Sequence, residues 1–527
     1  MKKAILVPLI VILVSLLVLI GCGEPAEEPT QQPTTQQPTQ QPTQEPTSAP
    51  EGPQYGGVLK IISGAGPAAF GYPPASGPLD SSGSLGVLEG LIGVDGLGEP
   101  VPKLAKSWDV SADGKTATFK LEEGVKYHDY TDFNSETVKW MVELYIEAGM
   151  IPTVSSVDAV DEYTVRFNMP QYNNAVFTQI SDIHYISPTA VEENGVDWAK
   201  THAVGTGPFM QEEFIRDVSI TKVRFDEYWD EGKPYLDGLM NIYIPDSTTA
   251  KMSFEAGEAQ ILMVGNNGNT ALDLANKGYE VRGIPGMAQF LVVDSANADS
   301  PFSDINVRLA VEYSINKQAV VDTVGKGYMI ALNQLAPEGF VGYNPDLPIR
   351  AYDPEKARQL LADAGYSEGF QSVLMGIAAF TNPDVATALQ AYLADIGIDV
   401  TVDLMDMGRG FQTRKDGWDN GMMIGGTGLD PNMCQRLSVD LGEGTPNYPD
   451  TVKPPEWQSA LNKALAARDV ASRGEALQEL MKITYDEEYV ICCWATYDIA
   501  ALDPTVHADI MTYHHIKWSP SDAWLSQ

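Results

Sequence analysis

The chain has 527 residues, and 71 acidic against 34 basic side chains give it a formal net charge of −37. At roughly 100–200 residues per domain, this length predicts two or three domains. The acidic excess argues against nucleic-acid binding, which needs positive charge opposite the phosphates, and four cysteines are too few for a disulfide framework. Past the N-terminus, no apolar stretch approaches the ~18 residues of a membrane-spanning helix.

The N-terminal segment has the pattern of an export signal. Two lysines precede an apolar run from Ala4 to Ile20, and a small residue follows it. The step from Gly21 to Cys22 resembles a bacterial lipoprotein signal, which implies cleavage before Cys22 and a diacylglycerol on its sulfur. We therefore expect a signal peptide over residues 1–21 and a lipid at Cys22. The alternative is an uncleaved membrane helix with an incidental cysteine.

Residues 22–54 differ sharply in composition from both flanks. They hold eight Pro, eight Gln and six Thr in a loose Gln-Gln-Pro-Thr repeat, with no aliphatic side chain larger than Ala. Such a segment has nothing to bury in a core, so its composition predicts an extended, semi-rigid tether. At about 3 Å per residue, the tether would reach on the order of 100 Å.

The folded body is predicted to begin at Tyr55. In its first half, the patterns predict a strand at Gly56–Ile62, an irregular Gly/Pro-rich loop at Gly64–Pro78, a hairpin at Trp108–Lys120, a helix at Ser135–Glu147 and a strand at Asp161–Asn168. In its second half, they predict helices at Val307–Ile315, Asp353–Gly365 and Ala386–Leu393, a strand at Ile398–Leu404, and paired helices at Trp457–Leu465 and Arg473–Met481. This alternation predicts α/β lobes.

Eight short motifs follow one another within residues 55–520. In chain order they are Leu104–Trp108 with Asp113–Lys115 and Phe119–Leu121; Gly124–Asp129; His202–Phe209; Tyr228-Trp229 with Lys233–Asp237; Glu255–Glu258; Pro301-Phe302 with Asn306–Ala310; Tyr352–Arg358; and Ala364–Tyr366. Their order resembles that of the family 5 extracellular solute-binding proteins of ABC importers, the group of dipeptide-, oligopeptide- and nickel-binding proteins. The chain departs from the family pattern at Glu122-Glu123, where a basic pair is usual, and at Tyr130, where Gly is usual.

The resemblance implies an α/β, two-lobe periplasmic-binding-protein-like fold of type II with an additional inserted subdomain. The boundaries that it implies are residues 55–80, 200–290 and 497–527 for lobe I, 81–199 for the inserted subdomain and 291–496 for lobe II. Ligand would lie in the cleft between the lobes, which close on it like a Venus flytrap.

Two glycine-rich segments are the first candidates for contact with a ligand. The loop after the first strand holds Gly64, Phe70 and Tyr72, and the resemblance implies that this loop lines the cleft; a plain surface loop is the alternative. Gly426 and Thr427 lie near the end of a predicted strand, whose glycines leave the backbone open to pairing with an extended peptide.

Charged and aromatic side chains complete the candidate set. In peptide-binding relatives, an Asp after this strand holds the α-amino group of the ligand, and Asp430 is the candidate here. The alternative is that Asp430 aligns with the Asp of a following Asp-Pro pair and only caps the next helix; Leu429 or a gap would then stand in place of the amine-binding carboxylate. Arg409 could bind a carboxylate of the ligand; the alternative is a solvated loop residue. Trp418 could form the base of the pocket.

The sequence contains no nucleophile elbow, no His-Glu-x-x-His and no Walker loop. We therefore predict no cofactor, no metal site and no enzymatic activity. Cys434, Cys492 and Cys493 are interpreted as buried thiols. The alternative is a disulfide between Cys434 and one of the other two, which the oxidising space outside the cytoplasm permits.

Together these features predict a receptor that is lipid-anchored outside the cytoplasm, in a periplasm or on the cell surface. It is expected to be a monomer that captures a peptide or similar small polar solute and delivers it to the permease subunits of an ABC importer. The alternatives are an enzymatic or chaperone-like lipoprotein with the same fold, or a protein that binds a metal chelate or an oligosaccharide.

Overall fold

The computed structural model of the protein describes residues 52–77, 80–511 and 518–526. The predicted signal peptide, the predicted lipidation site at Cys22 and most of the predicted tether lie outside these residues. Among the helices of the described part, none has both the length and the apolar character that crossing a membrane requires.

The strands of the described part are β1 (Val58–Ser63), β2 (Ile92–Val94), β3 (Pro100–Pro102), β4 (Ala105–Val110), β5 (Thr116–Leu121), β6 (Ser156–Asp161), β7 (Thr164–Asn168), β8 (Phe209–Ile215), β9 (Ser219–Arg224), β10 (Gly238–Tyr243), β11 (Ile261–Gly265), β12 (Glu280–Val293), β13 (Met329–Ala331), β14 (Phe370–Ile377), β15 (Ile398–Met405), β16 (Gly421–Gly428), β17 (Val490–Leu502), β18 (Val506–His507) and β19 (Trp524–Leu525).

The α-helices are α1 (Ser81–Ser84), α2 (Ser135–Glu147), α3 (Ala175–Ser181), α4 (Pro188–Asn194), α5 (Val196–Ala199), α6 (Ser247–Glu255), α7 (Gly268–Asn276), α8 (Ile305–Ser314), α9 (Lys317–Val320), α10 (Pro354–Asp363), α11 (Pro383–Asp395), α12 (Met407–Asp416), α13 (Met433–Asp440), α14 (Pro455–Ala466) and α15 (Val470–Glu487).

The largest sheet is shared by two lobes. Its strand order is β15-β14-β16-β12-β17-β11-β1-β10-β9-β8, with β13 added on β17. We call the part around β1 and β8–β11 lobe I, and the part around β13–β16 lobe II. The long strands β12 and β17 pair antiparallel along almost their whole length. One end of this pair borders β11 of lobe I, and the other borders β13 and β16 of lobe II.

A separate body lies between β1 and β8 in the chain, and we call it the inserted subdomain. Within it, β2 pairs with β3, and a second antiparallel sheet has the order β4-β5-β7-β6. Phe119 and Phe167 are fully buried in its core, with their rings edge-to-face at 5.3 Å between centroids. The predicted two-lobe α/β fold with an inserted subdomain is therefore confirmed.

Helix predictions that depend on residues close in sequence are confirmed by the structure. The helix predicted at Ser135–Glu147 is α2, and Asp353 accepts a hydrogen bond from the Lys356 N–H at the start of α10. The single strand predicted at Asp161–Asn168 is wrong in its first residues. Asp161 ends β6 and its carboxylate accepts from the Tyr163 N–H at 3.1 Å, which closes a tight turn before β7.

Cys434, Cys492 and Cys493 are buried free thiols in the structure. Burial raises the pKa of Cys434 and of Cys493 to about 12, so both thiols stay protonated and unreactive at neutral pH. No group of three or more His, Cys, Asp or Glu side chains in the described part is arranged to hold a metal ion.

Candidate functional site

The lobes are joined where β12 and β17 pass from one to the other. The pairing register of the two strands shifts between Pro285 and Met287, and such an irregularity bends and twists a strand pair locally. Gly286 lies at the shift, where a Cβ atom would stand 2.1 Å from Asp498 Oδ2. We call Gly286 and its surroundings the crossing point.

Parallel strands of both lobes direct their C-terminal ends at the crossing point. In lobe I, β1 runs parallel to β10 and β11, and Gly265 at the end of β11 pairs with Ile499. In lobe II, β14 runs parallel to β15 and β16, and Leu429 just past β16 donates its N–H to Gly286 O at 3.0 Å. Ligands of open α/β sheets bind at the carboxyl ends of strands. The surface between these two sets of strand ends is therefore the candidate ligand cleft.

On the lobe I side, the loop after β1 has an open part and a packed part. Nothing lies within 4 Å of a Cβ placed on Gly64, at the end of β1. Phe70 is only 2% exposed and stacks edge-to-face on Phe214, with 5.1 Å between the ring centroids. Tyr72 is partly buried, and its burial, together with the negative charge of Glu147, raises the pKa of its hydroxyl. Thus Gly64 lies at the cleft, whereas Phe70 belongs to the core.

On the lobe II side, β16 brings Gly426 and Thr427 together but gives them different surroundings. A Cβ on Gly426 would lie 2.8 Å from the Met287 sulfur, beside the crossing point. The Thr427 side chain is buried, and its hydroxyl donates to Asp440 Oδ2 at 2.8 Å. Arg414 Nη2 donates to the other carboxylate oxygen at 2.9 Å. Thr427 is thus part of a buried polar cluster beneath the strand.

Asp430 and Arg436 form an ion pair where β16 ends. Arg436 Nε donates to Asp430 Oδ2 at 2.9 Å, and the side chains are 46% exposed for Arg436 and 16% for Asp430. Burial lowers the pKa of Arg436, but the charges of Asp430, Asp440 and Asp182 outweigh it, so that the pKa is raised. An acid and a base side by side can bind both charged ends of a zwitterion.

The helix that follows does not use Asp430 as its cap. The N-cap of α13 is Asn432, whose side chain accepts from the Cys434 N–H. Helix capping, the alternative role considered for Asp430, is therefore filled by another residue, and the Asp430 carboxylate is directed to Arg436.

Two exposed aromatic side chains lie at the cleft, and Phe380 was missing from the predicted set. Phe380 follows β14 and Phe411 lies in α12, which follows β15, so both stand at the carboxyl ends of neighbouring parallel strands. They are 38% and 39% exposed, and their ring centroids are 6.2 Å apart. Gln289 Nε2 donates to Phe380 O at 3.0 Å and holds this loop on β12. Phe380 comes three residues after β14 and Phe411 six residues after β15, and the sequence patterns predict no strand at β14, so they could not bring the two rings together.

Of the two remaining candidates, Arg409 is held in an ion pair near the carboxyl end of β15, and only Trp418 lies far from the cleft. Arg409 donates from Nη1 to Asp403 Oδ1 at 3.0 Å, and Asp403 belongs to β15, the edge strand of the sheet. Trp418 lies before β16 and donates its indole N–H to Gly421 O at 3.1 Å. Gly421 begins β16 whereas the cleft is at its end, so the length of the strand separates Trp418 from the cleft.

Some of the family-like motifs hold the inserted subdomain against lobe I. Glu89 accepts hydrogen bonds from the Tyr228 hydroxyl at 2.8 Å, the Trp229 indole at 2.9 Å and the Thr206 hydroxyl at 3.0 Å. Burial raises the pKa of Glu89 in spite of these donors. These motif residues are thus structural rather than ligand-binding.

His128 makes a second contact of this kind. The Gly205 N–H donates to His128 Nδ1 at 3.3 Å, and Nε2 lies 2.9 Å from Gly207 O, to which it donates in the neutral tautomer. Protonation would break the bond at Nδ1. Burial lowers the pKa of His128 to about 4, so the ring is neutral at pH 7.

Residues 99–442 match the model of the bacterial extracellular solute-binding proteins, family 5. The chain is a family 5 solute-binding protein. The dipeptide-binding protein of Escherichia coli K12 is 28% identical over 433 residues, which cover 74% of this family 5 protein and 80% of that one. The glutathione-binding protein of Escherichia coli O1:K1 is 31% identical over 331 residues, which cover 61% of this chain and 64% of that protein.

Solved structures show the same fold for this family 5 protein. The periplasmic binding protein of Helicobacter pylori in complex with the peptide STSA has a TM-score of 0.76 at 23% identity, over 90% of this chain and 99% of that one. The dipeptide-binding protein of Pseudoalteromonas in complex with Met-Leu has a TM-score of 0.74 at 19% identity, over 89% and 100%. At these identities, the likeness establishes the type II fold alone.

Proposed function

We propose that the protein is a lipid-anchored, extracytoplasmic receptor that captures a peptide or a similar small polar solute in the cleft and delivers it to an ABC importer. The observation that carries the proposal is the Asp430–Arg436 pair at the end of β16, beside the crossing point. Relatives that bind dipeptides, glutathione and a tetrapeptide support it.

The chemistry of a short peptide matches the side chains at this end of lobe II. The Asp430 carboxylate accepts from the ligand ammonium, and the exposed guanidinium of Arg436 donates to the ligand carboxylate. The Phe380 and Phe411 rings offer apolar surface to a ligand side chain. The Arg436 guanidinium lies over Gly428, where a Cβ would stand 3.0 Å from Arg436 Nε. The missing side chain of Gly428 therefore makes room for the guanidinium at the end of β16.

Capture and delivery then follow from the arrangement of the parts. The lobes, with the boundaries implied by the family resemblance, close about the crossing point because only β12 and β17 of the shared sheet belong to both. Residues 22–54 tether the receptor to the lipid at Cys22 and leave it within reach of the permease subunits.

The test is peptide capture by the full-length protein in detergent. The protein is incubated with a defined mixture of di- to pentapeptides, retained peptides are identified by native mass spectrometry, and their Kd values are measured by calorimetry. We expect retention, and we expect Asp430→Asn to weaken a peptide with a free amine by roughly 10- to 100-fold. An N-acetylated analogue should not distinguish the variant from the wild type.

A matched control is available in lobe II. Asp395 pairs with Arg358 at 2.7 Å, and both side chains are about half exposed, so Asp395→Asn removes an ion pair of the same kind outside the cleft. Its Kd should equal that of the wild type. If no peptide in the mixture is retained, or if Asp430→Asn binds the free-amine peptide as tightly as the wild type does, the proposed recognition is wrong.

A further inference from the structure

A second cavity lies between the inserted subdomain and lobe II and shares no lining residue with the cleft residues described above. Its volume is about 310 Å³, at the lower end of the roughly 300–1,000 Å³ typical of small-molecule sites. Its principal lining residues are Pro100, Trp108, Tyr172, Phe177, Arg468 and Arg473, and we call it the arginine pocket.

Aromatic rings form one wall of the arginine pocket. Trp108 and Phe177 lie with 6.5 Å between their ring centroids, in a tilted arrangement. The Arg468 guanidinium stands over the Tyr172 ring at 4.8 Å from the centroid. Planar apolar groups pack favourably against such surfaces.

Two arginines make another part of the pocket polar and positively charged. The Arg473 side chain is 4% exposed; its Nη1 pairs with Glu99 at 3.0 Å and its Nη2 donates to Leu97 O. Its Nε is buried without a hydrogen-bond partner, which is uncommon for a group of this kind and costs free energy. Arg468 lies nearer the surface and donates from Nη2 to Ala112 O at 3.2 Å. With one carboxylate against two guanidiniums, the pocket is positive in a chain whose net charge is −37.

We propose that the arginine pocket binds a small carboxylate with an aromatic or compact apolar body. The carboxylate would accept from the Arg468 and Arg473 guanidiniums, and the body would lie on Trp108, Tyr172 and Phe177. Guanidinium groups recognise carboxylates by charge-assisted hydrogen bonds. This site is independent of the proposed peptide site, because its residues belong to other elements.

Occupancy of the pocket would also stabilise the boundary at which it lies. Across this boundary, the Asn174 side-chain amide donates to Ala464 O at 2.6 Å and to Ala467 O at 3.1 Å. Asn174 belongs to the inserted subdomain and the two carbonyls to lobe II. A ligand that touches both walls adds to these bonds and therefore favours the state in which the walls meet.

The probe is 4-fluorobenzoate, titrated into the full-length protein in detergent and followed by ¹⁹F NMR. We expect saturable binding, and we expect Arg468→Gln to raise the Kd at least tenfold. Arg358→Gln removes an exposed arginine of lobe II outside the pocket and should leave the Kd unchanged. Arg473 is a buried ion-pair partner, and removing its charge could unfold the chain. The variant for this residue is therefore Arg473→Lys, whose folding is checked by circular dichroism. Arg473→Lys should also raise the Kd.

Failure of this proposal can be told apart from failure of the proposed peptide site. Arg436→Gln alters the cleft alone and should leave the Kd of 4-fluorobenzoate within twofold. A tenfold loss in Arg436→Gln would assign the probe to the cleft and overturn the proposal. So would the absence of saturable binding to the wild type, or a Kd for Arg468→Gln equal to that of the wild type.

Discussion

Replacing Thr427 by Val tests whether this residue serves the fold or the ligand. The side chain is 1% exposed, and its hydroxyl is a donor to the Asp440 carboxylate, whose own exposure is 12%. Val keeps the branched shape but leaves Asp440 Oδ2 without that donor, and water has little access to replace it. A hydrogen bond to a charged group contributes about 1.5–3 kcal/mol, so we expect a loss of about 2 kcal/mol in the free energy of unfolding.

The assay is urea unfolding followed by tryptophan fluorescence, together with calorimetric titration of a captured peptide. Thr427→Val should unfold at lower urea, while its peptide Kd stays within about twofold of the wild type. Thr387→Val is the matched control, because the Thr387 hydroxyl bonds Pro383 O at an exposed site on α11; its stability should change by less than about 0.5 kcal/mol. A tenfold loss of affinity with unchanged stability would refute the reasoning and make Thr427 a ligand contact.

Three further changes test other parts of the molecule. Cys22→Ala should move the expressed protein from the detergent phase to the aqueous phase in a Triton X-114 partition; an unchanged partition would exclude a lipid on that sulfur. Gly286→Ala should lower the free energy of unfolding by about 1–3 kcal/mol, because its Cβ would stand 2.1 Å from Asp498 Oδ2. In the Asp498→Ala background the same change should cost little. An equal cost in both backgrounds would show that the loss does not come from a clash with Asp498. The free energy of unfolding should fall as the pH drops from about 6.5 towards 4, because the unfolded chain protonates His128 before the folded protein does. The neutral, buried His128 contributes about 3 kcal/mol above pH 6.5. In His128→Gln, the urea midpoint should change less with pH over this range.

Much of the local structure could be predicted from the sequence because the signals are local. The Asp353 cap is followed by Pro354 in the first turn of a helix, and the hairpin of β4 and β5 has its turn residues in place. Both features depend on neighbours within a few residues. The glycines of β16 are a local signal too, because they indicate the end of a strand whatever the position of that strand in the sheet.

The candidate site was harder to predict because its residues meet only through the sheet order. Phe380 and Phe411 are neighbours because β14 and β15 are adjacent and parallel, and no sequence pattern states that adjacency. Thr427 turns towards Asp440 because α13 packs under β16, which depends on the tertiary fold. Trp418 is close to Thr427 in sequence, but it precedes β16 whereas Thr427 lies near the end of that strand. Residues that are close in sequence but lie at opposite ends of one strand therefore do not meet at the same site.

The pairing of β12 with β17 also sets the order in which the protein can fold. Leu502 of β17 is the direct neighbour of Glu280 on β12 and of Ile261 on β11, so the β11 edge of lobe I stays unpaired until a segment from much later in the chain arrives. Contacts of such large sequence separation slow folding and leave strand edges exposed to association with other chains. A chain that stops short of Val490 would lack β17, one of the two strands shared by both lobes, and we expect it to aggregate rather than to form a smaller working receptor.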